Sequence, residues 1–318
     1  MIRSGTTCFN EMYVVDVGEI ATAASEIGVR ATIAHGLIGE QPEKQLAIAN
    51  KFIASWSNKN DLITPAISCH APYSCSEELL IKSKKLAKKK KLKFHIHVSE
   101  TRKEVFDILK KYGSYPVEYL HKIGIVDSDS IFAHAGWLTK REIGILGKAR
   151  ASIASCPISN LKLATGGIAQ LYELNTAGAT VALGSDGPAS NNSHNMFETL
   201  KMASLLQKHH YWKADILSTE KVFDFATIKG AKALGLDCGE IKEGKLADLV
   251  LLDRKSAPNL WPNHDLLSNI VYVAGPQNVS DVIINGKIVM HDRVILTVDE
   301  EKVIEKANAA AMNVVKRK

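Results

Sequence analysis

Residues 93–101 read KFHIHVSET, two histidines and a glutamate in a spacing that could do chemistry. Side chains alternate faces along a strand, so His95 and His97 share one face while Ile96 and Val98 take the other. Glu100 then falls where the strand breaks into a turn. A histidine with a glutamate three residues on can place an imidazole on a divalent ion and a proton-transfer group beside the water that ion acidifies. The plainer alternative is a strand with two hydrogen-bonded core histidines. The H-x-x-E spacing selects His97 for the metal and leaves His95 a structural role.

The arrangement recurs along the chain. The runs 62–70 (LITPAISCH), 130–135 (SIFAHA) and 180–185 (TVALGS) end on or beside His70, His134 and Asp186, and 30–37 (RATIAHGL) carries His35 near its end. Each has a structural alternative: Asp186 could cap the helix that follows, and His70 and His134 could be satisfied core histidines. Cys156 has no partner that suggests nucleophilic chemistry. His194, His209 and His210 fit surface or helix positions.

The elements that must position these groups alternate. Strands are expected at 6–15, 30–37, 62–70, 93–101, 130–135, 151–156 and 180–185, and helices at 17–26, 44–57, 77–91, 102–111, 139–146 and 168–177. Pro65 is awkward in a central strand because it donates no ladder hydrogen bond. Apolar strands alternating with helices predict an α/β fold with a parallel sheet covered on its faces. A doubly wound sheet and a barrel are both admissible. The polar groups favour a (β/α)8 TIM-type barrel, because barrel strand ends converge on one mouth whereas an open sheet spreads them along an edge. Helices at 196–208 and 219–235 follow. The pattern then changes at Gly239 to short strands with turn signals, including Asn285-Gly286. The expected division is a barrel over 1–238, a small β-sandwich module over 239–298 and a closing helix within 299–318.

Composition narrows the function. A 46% hydrophobic chain of 318 residues can bury a large core, and no apolar run approaches the ~18 residues of a membrane span. Five cysteines without a C-x-x-C pair argue for a reducing compartment, the cytoplasm, over a disulfide framework. The net charge of +6 raises nucleic-acid binding, but eight of the lysines cluster between Lys82 and Lys93 without aromatic residues to stack bases. They read as the solvated face of a helix. Neither nucleic acid nor a membrane is an expected partner, and a homo-oligomer is allowed.

HAPYSCS (70–76), HIHVSET, FAHAGWL, CPISNLKLATGGIA and LGSDGPASNNSHNMFETLKMASLLQK together resemble the metal-dependent amidohydrolase superfamily, most closely its 5-methylthioadenosine/S-adenosylhomocysteine deaminases. GEIKEGKLADLVLLD resembles the β-sandwich these enzymes carry beside their barrel. The resemblance implies one divalent ion, zinc with iron or manganese as alternatives, held by an H-x-H of the first barrel strand, His97 and Asp186. It implies that Glu100 shuttles a proton to the purine ring nitrogen, that His134 stands beside the activated water with Asp186 as proton acceptor, and that His70 contacts substrate, as do Glu100 and Asp186. Water activated by the ion would attack C6 of an adenosine-type nucleoside and release ammonia.

Two features depart from that pattern. The chain opens at the position of the family's second barrel strand, so the first strand and its H-x-H are missing, and the only H-x-H is His95-His97. The arginines that grip the ribose and its tail are also not evident. Two rival readings follow: an amidohydrolase for another aminated or halogenated heterocycle, and an inactive fragment or pseudoenzyme.

Overall fold

Strands that are apolar on both faces must be buried on both. In the computed structural model, which describes residues 1–316, the alternating region forms one parallel sheet of β1 (Cys8–Tyr13), β2 (Arg30–Leu37), β3 (Ile63–Pro65), β4 (Ile67–Cys69), β5 (Phe94–Val98), β6 (Ser130–His134), β7 (Ser152–Ser155) and β8 (Thr180–Leu183). Spatial order follows chain order from β1 to β8, with β3 set beside β2. The curled sheet does not close: β1 and β8 end the path, and no ladder between them is present among the described residues.

Pro65 has the effect its chemistry dictates. The third expected strand is split at Ala66, so that β3 pairs with the first half of β2 and β4 with the second. The outward residues Phe94, Ile96, Val98, Phe132, Ile153 and Val181 join the main core beneath the covering helices. Alternation therefore turns His95, His97, Ala133, Ala154 and Ala182 to the inside of the curl.

The helices lie close to their expected positions, and several carry the caps that set their start. Ser76, Thr101, Thr139 and Ser218 each accept the backbone N–H three residues on. Helix Lys140–Lys148 packs against Leu171–Ala177 at Gly147, where a Cβ would stand 2.3 Å from the Ala177 carbonyl oxygen. The short helices Pro116–Lys122 and Pro157–Lys162 have too few residues for periodicity to betray them, and the sequence reading omits both. The expected helix at 219–235 is two, Thr219–Ala226 and Ile228–Leu234, broken at Thr227.

The C-terminal part contains β9 (Leu249–Leu252), β10 (Val279–Ile284), β11 (Lys287–His291) and β12 (Val294–Ile295), in spatial order β12-β11-β10-β9 and antiparallel. Asn285 and Gly286 turn β10 into β11, both with positive φ as a tight hairpin requires. Where two layers of a sandwich are expected, the described residues supply one. Val279, Val282, Ile284, Val289 and Met290 pack with Ile2 and Val29 of the barrel part. The closing helix Glu300–Val315 buries none of its residues. Among the described residues no helix is long and apolar enough to cross a membrane.

Candidate active site

β5 delivers His97 to the mouth and fixes its tautomer. The His97 backbone N–H and ring Nδ1 both reach the carbonyl oxygen of His70, at 3.0 and 2.7 Å. A carbonyl only accepts, so Nδ1 carries the proton and Nε2 presents its lone pair. This is how a metal-binding imidazole is usually oriented. Burial, then the neighbouring His95 and His134, hold the His97 pKa down to about 3, so the ring is neutral near pH 7.

His70 follows β4 and is tied by Nδ1 to the Ser74 hydroxyl at 2.7 Å. Its ring lies edge-on to His97 with centroids 5.3 Å apart, and the Tyr73 ring is also edge-on to it at 5.8 Å. His134 ends β6, is 2% exposed, and its ring centroid is 5.3 Å from that of His97. Its Nδ1 bonds the Asn160 side-chain oxygen at 2.9 Å, while Nε2 stands 3.9 Å from a Glu100 carboxylate oxygen.

Asp186 follows β8. One carboxylate oxygen accepts from the Ser159 hydroxyl at 2.5 Å and the other from the Gly187 N–H at 2.7 Å. Burial pushes its pKa up, but these two bonds, with His134 and His97 close by, outweigh it, and the net shift is downward. Ser99, His134, Ala135 and Asp186 all have positive φ, a left-handed backbone that non-glycine residues enter at a cost of about 1 kcal/mol or more each. These four residues, at the ends of β5, β6 and β8, mark where the chain is bent to aim side chains.

The strand ends thus bring together His70, His97, Glu100, His134 and Asp186, the residues the sequence singles out. His35 does not join them. It lies among Val17, Gly18, Phe52 and Trp56, in a groove between the covering helices. His194, read from sequence as a surface or helix position, is half-buried in the loop after β8 and bonds Ser185 through Nδ1 at 2.9 Å. His95 has the supporting place expected of it: its Nδ1 accepts from Asn10 at 3.0 Å, and its buried Nε2 has no partner. Sequence reading missed Ser159 and Asn160, which hold Asp186 and His134. Their signal was C-P-I-S-N directly after an apolar strand, with proline starting a short helix.

In kind, the donors fit a divalent ion: a neutral imidazole nitrogen with its other nitrogen anchored, and a carboxylate oriented by two hydrogen bonds. Among the described residues, the mouth does not bring three such ligand atoms within 4.8 Å of one another. The one group of three His, Cys, Asp or Glu ligand atoms lying within 4.8 Å of one another among the described residues is Asp281, His291 and Asp292, on the small sheet and away from this mouth.

Comparison with known proteins adds the family. The Amidohydrolase family model matches residues 1–289. The chain is 45% identical over 313 residues to a 5'-deoxyadenosine deaminase of Methanocaldococcus jannaschii, covering 96% of this chain and 74% of that protein. It is 43% identical over 321 residues to a 5-methylthioadenosine/S-adenosylhomocysteine deaminase of Pelotomaculum thermopropionicum, covering 100% of this chain and 73% of the relative. Among solved structures, it superposes with a TM-score of 0.94 on a zinc-bound adenosine deaminase from Xanthomonas campestris, at 33% identity over 99% of this chain and 73% of the other. The curled sheet, the strand-end site and these matches agree: this chain belongs to the amidohydrolase family.

Proposed function

We propose that the mouth of this sheet catalyses hydrolytic deamination of an adenosine-type nucleoside, replacing the exocyclic amine of the purine with oxygen from water and releasing ammonia. One observation carries the reading most. His97 and Glu100 from β5, His134 from β6 and Asp186 after β8 arrive from three separate strand ends, yet His134 stands within 3.9 Å of Glu100 and its ring 5.3 Å from that of His97. The relatives named as 5'-deoxyadenosine and methylthioadenosine deaminases support the same chemistry.

His97 and Asp186 would hold a divalent ion, zinc by the precedent of the Xanthomonas enzyme. When bound, such an ion supplies the Lewis acidity that lowers the pKa of a water. Asp186, fixed by Ser159 and Gly187, takes the proton the attacking water loses. Glu100 donates a proton to the ring nitrogen beside the carbon under attack, which makes that carbon electrophilic. His134, with Nδ1 committed to Asn160, directs Nε2 toward the same space. His70 lines the substrate side, with Tyr73 against its ring.

A second reading, a protein that keeps the fold without the chemistry, draws on the mouth not bringing three His, Cys, Asp or Glu ligand atoms within 4.8 Å of one another among the described residues. Ammonia release by the purified chain, supplied with zinc, iron or manganese and measured on 5'-deoxyadenosine, methylthioadenosine, S-adenosylhomocysteine and a triazine panel, separates the readings. Ammonia from the nucleosides is expected. Release from triazines alone would move the activity to another heterocycle, and neither metal retention nor ammonia release would favour the inactive reading.

A further inference from the structure

We infer that Glu104 is a positioning residue for Glu100: its carboxylate takes the backbone N–H groups of Ser99 and Glu100 and so fixes the turn from which Glu100 reaches the mouth. The inference rests on the reading of Glu100 as the proton carrier.

The local sequence T-x-x-E, Thr101 to Glu104, ordinarily makes a capping box, in which the glutamate returns to the N–H of the capping threonine. The chain contains such a box at Thr139 and Glu142, where the carboxylate accepts the Thr139 N–H at 2.9 Å. Glu104 does something else. One of its oxygens accepts from the Ser99 N–H at 2.7 Å and the other from the Glu100 N–H at 2.9 Å, two and one residues before the cap. Thr101 still caps the helix by accepting the Glu104 N–H at 3.2 Å. The glutamate is therefore not needed to start its helix in the usual way, and its carboxylate serves the turn instead.

That turn needs holding. Ser99 has φ +50, and its carbonyl is taken by the Trp137 N–H at 3.0 Å. Two successive N–H groups pointing one way form a small anion-binding nest. Glu104 fills it from inside the protein, 3% exposed, with no salt bridge among the described residues. A buried carboxylate without a cation is costly unless its oxygens are satisfied, and here the backbone satisfies them. A glutamine at 104 has one acceptor oxygen and would turn an N–H₂ toward the second N–H. An aspartate keeps both acceptors on a side chain one methylene shorter.

The test uses the full chain and two independent readouts. Amide hydrogen exchange at Ser99 and Glu100 should accelerate about 10–100-fold in Glu104→Gln, less in Glu104→Asp, and stay at the wild-type rate in Glu142→Gln, which breaks the other box. Turnover of 5'-deoxyadenosine by Glu104→Gln should lose a comparable factor in kcat with little change in KM. In a Glu100→Gln background the same change should cost nothing more. Unchanged exchange at residues 99 and 100, equal acceleration in the Glu142 variant, or additive losses in the double variant would overturn the inference. If Glu104→Gln fails to fold, Glu104→Asp carries the same comparison. If the wild type deaminates no nucleoside, the proposed function falls, while the exchange rates still decide whether Glu104 sets this turn.

Discussion

The Nδ1 of His134 and the side-chain oxygen of Asn160 are 2.9 Å apart, and both residues are buried. An amide oxygen accepts, so Nδ1 carries a proton and Nε2 is the ring nitrogen turned toward Glu100. Replacing Asn160 with leucine removes the group that fixes this orientation while roughly preserving volume. We expect kcat/KM for 5'-deoxyadenosine to fall about 10–100-fold, the range for losing the partner of an oriented histidine. Asn160→Asp retains an acceptor and should lose less. Equal activity in the leucine variant would mean that the His134 orientation does not matter.

Glu100→Gln tests the proton carrier itself. The substitution keeps shape and removes the transferable proton, so turnover should fall about 10²–10⁴-fold. Metal content should not change, since Glu100 is not among the proposed ligands. Metal analysis of the purified variant beside its rate of ammonia release checks both halves. Normal turnover would remove Glu100 from the chemistry, and lost metal would make it a ligand.

Much of this site was legible because strand periodicity and strand-end chemistry are local. H-x-H-x-x-E put His97 and Glu100 at the end of one strand, where β5 has them, and apolar runs ending at His134 and Asp186 put those groups at strand ends of the same sheet. The same rule misplaced His35, since one step of alternation turns a side chain to the other face of the sheet. Ser159, Asn160 and Glu104 were not legible because each acts through a hydrogen bond whose partner is set by backbone geometry. The outline of the barrel was readable in the βα rhythm. That the described strands of the β-module pair as a single sheet in the order β12-β11-β10-β9 was not, because strand order depends on long-range pairing.

The buried histidines make stability depend on pH. Burial holds His95 down to about 4 and His97 to about 3, against an ordinary value of 6.5, so both are neutral when folded. As pH falls below 6.5 the unfolded chain takes up protons that the folded chain refuses, and stability must fall. The loss continues until pH reaches the folded values. Each histidine contributes at most about 1.4 kcal/mol per pH unit, so the pair approaches ~2.7 kcal/mol per unit near pH 5. Urea midpoints of the metal-free protein should therefore drop between pH 7 and pH 5, and His95→Asn should flatten the slope by about half. A level profile over that range would contradict the burial of these rings.

Arg30 and Asp248 join the barrel to the small sheet. The pair is bidentate, Nε to one carboxylate oxygen at 2.7 Å and Nη2 to the other at 2.9 Å, with side chains only 4% and 2% exposed. Arg30 opens β2 and also reaches the carbonyl of Asp61 and the side chain of Asn285, while Asp248 accepts the Asn285 N–H at 2.8 Å. The guanidinium is thus held by the turn that joins β10 to β11. Asp248→Ala would leave a buried arginine without its carboxylate and free the Asn285 N–H, which should cost about 3–5 kcal/mol. Removing both charges, as in Arg30→Met with Asp248→Leu, should cost less than the single change, because most of the penalty is the unpaired charge and not the lost attraction. Urea denaturation of the three variants decides the matter. A loss below about 1 kcal/mol in Asp248→Ala, the range of an exposed pair, would mean that water reaches Arg30 and that the two sheets are not locked together there.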